Sequence, residues 1–86
     1  MKKVIVCVKD TVSEVFHDLR CEINTASAIR AFSQSIQDSP HKDDFQLYLV
    51  GEQDQNNGTI IASDPVRIYS GHDVKTNNVT PIEEVK

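Results

Sequence analysis

The chain has 86 residues, 38% of them apolar, which allows one small core and leaves no room for a large enclosed active site. Nine Lys and Arg stand against thirteen Asp and Glu, a net charge of -4 that argues against wrapping nucleic acid by wholesale phosphate neutralisation. A local basic patch remains open. The apolar run Val4–Val8 is ended by Lys9 and Asp10 too early for a signal-peptide core or a membrane span, so a soluble protein is expected.

In chain order, Val4 to Val8 are apolar without a break, which predicts a central strand buried on both faces. Asp10, Thr11 and Ser13 supply turn chemistry, after which Val15, His17, Leu19, Cys21 and Ile23 alternate with Phe16, Asp18, Arg20 and Glu22. That alternation predicts a second strand with one buried and one wet face. Cys7 and Cys21, the only cysteines, lack CxxC spacing and are expected to be buried free thiols in a reducing cytoplasm.

Ile29, Phe32 and Ile36, with Thr25 and Ala28 on the same side, predict one amphipathic helix running to Asp38, N-capped by Asn24 and stopped by Pro40. A polar connection, Asp38 to Asp44, returns the chain to a third strand. There Phe45, Leu47 and Leu49 form one face and Gln46, Tyr48 and Val50 the other. Asp54 to Gly58 is a hairpin turn into a fourth strand from Thr59. Asp64-Pro65 interrupts it, so Val66 to Tyr69 is either a bent continuation or a fifth short strand.

The expected architecture is therefore α+β: a β-β-α-β-β sheet of four to five strands, β-grasp-like, with one helix packed on one face. Residues 1–70 form the domain, and 71–86 read as a flexible or partner-ordered tail. The helix covers only one sheet face, which points to a homodimer built through the sheet and its hairpin edge rather than through the helix. The alternative is that the tail folds back over the same surface with Val74, Val79, Ile82 and Val85.

No catalytic motif is present. His17, His41 and His72 lie in different segments without metal-ligand spacing, and His17 with Cys21 should merely share the core face of a strand. Asp43-Asp44 and Glu83-Glu84 read as solvated pairs. A non-enzymatic protein without metal or cofactor is expected. Lys2, Lys3, Lys9, Arg20 and Arg67 are the candidate nucleic-acid contacts, with Arg30 a further cation and Phe16 and Tyr69 the aromatics for base stacking.

Four segments taken together carry a resemblance: Cys7-Val8-Lys9-Asp10, Phe16, Asn24 to Phe32 with Ala28-Ile29-Arg30-Ala31-Phe32 inside it, and Asp44-Phe45-Gln46-Leu47-Tyr48-Leu49-Val50-Gly51. In this order the chain resembles the small nonstructural protein of gokushovirus-type microviruses, which are single-stranded DNA phages. Cys7 and Lys9 stand where Ser and Arg are usual there, and Phe45 where Tyr is usual. The resemblance implies a phage protein of the host cytoplasm that acts in the switch from double-stranded replication to single-stranded genome synthesis and packaging. Its implied partners are the replication initiator, the procapsid or single-stranded DNA, with no membrane. No site residues are carried over from it.

Overall fold

A computed structural model describes residues 1–75. Strands β1 (Lys2–Asp10), β2 (Val15–Glu22), β3 (Phe45–Asp54) and β4 (Ile60–Ser70) form one sheet in the order β2-β1-β3-β4, with every neighbouring pair antiparallel. One helix, α1 (Thr25–Ile36), packs on one face. The expected α+β class and single covering helix are found. The grasp-like detail has no support, since a grasp-like sheet carries a parallel central pair and β3 runs antiparallel to β1 here.

The helix forms where its apolar stripe predicts. The Asn24 side chain accepts from the Ser27 N–H at 2.8 Å, satisfying one of the free donors of the first turn. Ala28, Phe32 and Ile36 are buried against Val6, Val8 and Leu47, and Leu47 is 2% exposed. The helix ends at Ile36, two residues earlier than expected. Lys42–Asp44 then makes a 3-10 turn, an element that its polar composition did not signal.

At the other end the Asp54 carboxylate accepts from the N–H groups of Asn56 (2.8 Å) and Asn57 (3.3 Å), and Gly58 takes φ 78°, where a side chain would be strained. This closes the β3–β4 hairpin.

Of the two readings of Val66–Tyr69, the bent continuation of β4 is the one found, and two other expectations need correction. The register jumps from Leu49↔Val66 to Gly51↔Ala62, so Ser63, Asp64 and Pro65 bulge out, where proline's missing N–H costs no ladder bond. The domain boundary at residue 70 falls short, because Gly71–Asp73 forms a second 3-10 turn that buries Val74 in the core. The remainder of the expected tail, residues 76–86, lies outside the described residues.

The second correction concerns β2. Val8 opposes His17 and Val6 opposes Arg20, so Cys7 alone faces both Asp18 and Leu19, a bulge in which Asp18 adopts φ 60°. One extra residue reverses the facing of everything beyond it. Val15 and His17 therefore lie on the helix side, whereas Cys21, opposite Ile5, faces away; the expected common face for His17 and Cys21 does not exist. As an edge strand β2 is exposed almost throughout, and Cys21 is exposed rather than buried.

Candidate nucleic-acid interface

Val4, Val6 and Val8 of β1 point to the helix, so Lys3, Ile5, Cys7 and Lys9 point to the outer face that no element of residues 1–75 covers. Directly opposed residues share a face, which fixes the rest of the outer surface. Phe16 opposes Lys9, Tyr48 opposes Cys7, and Arg67 opposes Tyr48.

These residues converge. The Phe16 and Tyr48 rings meet edge to face with centroids 5.1 Å apart, and the Lys9 ammonium stands 5.4 Å from the Phe16 centroid. Phe16 is 44% exposed, so part of its surface is open to solvent beside the Tyr48 and Lys9 contacts. The Tyr48 hydroxyl donates to Gln46 Oε1 at 3.3 Å, anchoring the ring on the sheet. Cys7, beneath this cluster, is buried, and burial pushes its thiol above the usual value. Such a group is not an activated nucleophile.

Charge divides between the two faces. The acids at paired strand positions, Asp10, Glu22, Glu52 and Asp54, all align with the helix-side row of Lys2, Val4 and Val8. Asp18 lines the shallow groove between β2 and α1. The paired positions of the outer face carry Lys3, Lys9 and Arg67 and no acid, in spite of the net negative charge of the chain.

Of the five candidate cations, the structure puts three on one face but only Lys9 and Arg67 beside the aromatic pair, Lys3 lying about 20 Å from Lys9 along β1. Lys3, Lys9 and Arg67 share the outer face; Lys2 lies on the helix side 4.0 Å from Glu52, and Arg20 lies there with its Nε 3.2 Å from Asp18. Tyr69 is not available for stacking on this face, since it packs edge-on to Phe32 at 6.4 Å in the core. Tyr48 takes its place, and its alternation with Phe45, Leu47 and Leu49 was the sequence signal for it. The Phe16–Tyr48 contact had no such signal, because it depends on which strands are neighbours.

Elsewhere, His17 stacks edge-on to Phe45 at 6.3 Å and His72 Nδ1 lies 3.8 Å from Asp43. Among the described residues no three His, Cys, Asp or Glu side chains gather as metal ligands, and no helix is long and apolar enough to cross a membrane.

No curated protein and no solved structure matches the chain. A family model described as Phage ORF5 protein matches residues 3–79, a span that takes in the helix and nearly the whole sheet, and the chain therefore belongs to that phage protein family.

Proposed function

We propose that the protein acts without catalysis, holding single-stranded DNA on the outer face of its sheet in the host cytoplasm, and so takes part in the switch from double-stranded replication to single-stranded genome synthesis and packaging. Membership of a phage family and the gokushovirus-like motifs support the setting. The observation that carries the reading is the Phe16–Tyr48 pair, flanked by Lys9 and Arg67 on a face whose paired positions hold no acid.

An exposed ring accepts an unstacked base whatever its identity, and each such stack contributes about 1–3 kcal/mol. The cations hold the phosphates between stacks. Duplex DNA hides its base faces, so the same surface offers it only three cations, too few for tight binding.

Titration of a labelled oligothymidylate at about 50 mM salt tests this. With three phosphate contacts on a single strand, log affinity should fall against log salt with a slope of about -2. Phe16→Ala should weaken binding by at least about fivefold, the low end of one lost stack. An oligonucleotide that does not bind at low salt, or binds equally well after Phe16→Ala, overturns the proposal.

A further inference from the structure

The helix side of the sheet is covered unevenly. Counting rows across it, Val8, Leu47 and Tyr69 lie beneath α1 and Val74; in the next two rows, Val6-Leu49-Val66 and Val4-Glu52-Ile61, Val4, Val6 and Leu49 belong to the core cluster or pack against it, whereas Val66 and Ile61 at the β4 ends do not. Exposure rises accordingly, from 2% at Leu47 to 55% at Val66 and 48% at Ile61. Helix α1 has 12 residues and spans about 18 Å, while the molecule is 54 Å long and 15 Å thick. Its radius of gyration is 15.0 Å, against about 12 Å for a compact chain of this length. Among the described residues, an elongated sheet with a half-covered apolar face lacks part of a second layer.

Edge-to-edge pairing does not supply it, because both edges are interrupted: β2 by the bulge at Asp18, β4 by Ser63-Asp64-Pro65. The outer face does not supply it either, since its paired positions hold the cations Lys3, Lys9 and Arg67 and no acid, so a copy docked there would set cations against cations. The helix-side shelf differs. Lys2 and Glu52, 4.0 Å apart, put both signs of charge beside Val4, Leu49, Ile61 and Val66. A patch that is apolar with both signs at its margin can complement itself.

We infer that a second copy of the chain docks on this shelf, the two protomers meeting through the helix-side faces of their β3–β4 hairpins around Leu49, Ile61 and Val66. An ordinary specific pair buries about 800 Å² per partner, well within one face of a sheet this long. The arrangement leaves both outer faces pointing outward and free, and it is independent of whether they bind nucleic acid.

Light scattering of the full chain at about 100 μM, compared with its Val66→Glu and Ile61→Lys variants, tests the inference. The expected result is a dimer that either variant converts to monomer, with unchanged far-UV circular dichroism because both side chains are exposed. Phe16→Lys, on the outer face, should remain dimeric. If a helix-side variant fails to fold, amide-exchange mapping of the native chain at about 1 and 100 μM reads the same surface, with protection at high concentration expected around Leu49, Ile61 and Val66. A full chain that stays monomeric at 100 μM overturns the inference, as does a dimer dissolved by Phe16→Lys and not by Val66→Glu.

Discussion

Asp54 shows how one side chain sets a local structure and makes it sensitive to pH. Its carboxylate accepts from two turn N–H groups, chiefly that of Asn56 and then that of Asn57, and these hold its pKa below the usual 3.8. A depressed carboxylate stabilises the folded state above the unfolded pKa, and the effect disappears as pH falls through the folded value. Protection of the Asn56 and Asn57 amides, followed by NMR, should therefore fall below about pH 4, and Asp54→Asn should remove that dependence while keeping an acceptor. The two thiols also differ by residue-level environment. Maleimide should modify exposed Cys21 rapidly and buried Cys7 only slowly, its thiol held protonated by burial; equal rates would contradict the assigned bulge.

Among the elements, α1 carries the largest share of the core. Phe32→Ala should cost about 3–5 kcal/mol of unfolding free energy in urea, because a 4% exposed ring leaves a cavity over Val6 and Leu47. Asn24→Ala should cost about 1 kcal/mol through the lost cap. Gly71 is tighter still. A Cβ there would overlap the Lys42 carbonyl where the two 3-10 turns meet, so Gly71→Ala should displace Val74 from the core and lower the melting temperature.

Helix, cap and hairpin were legible in the sequence because each is written in local chemistry: a 3.6-residue apolar stripe, an Asn before it, an Asp-to-Gly turn cluster. The bulges were not, because a bulge is defined by a partner strand that the local sequence does not name. Asp18 reverses the facing of β2 without breaking its apparent alternation, and with it the assignments of Cys21 and His17. The site was legible to the same degree. Lys3 and Lys9 follow from alternation in β1, while the company they keep with Phe16, Tyr48 and Arg67 follows only from the strand order.

For the whole molecule, the separation of charge between faces matters more than the net charge. A chain with a surplus of four acids would repel a polyanion if its charges were mixed evenly, yet its paired strand acids lie with the helix and its outer paired positions carry only cations. The most direct test compares variants that change the net charge equally on different faces. Lys9→Glu and Arg67→Glu alter the outer face, whereas Arg20→Glu and Arg30→Glu alter the helix side by the same amount. Binding of oligothymidylate at about 50 mM salt should fall at least about tenfold in the first pair and change less than about threefold in the second. Equal losses in both pairs, or none in the first, would contradict the assignment of the outer face as the nucleic-acid surface.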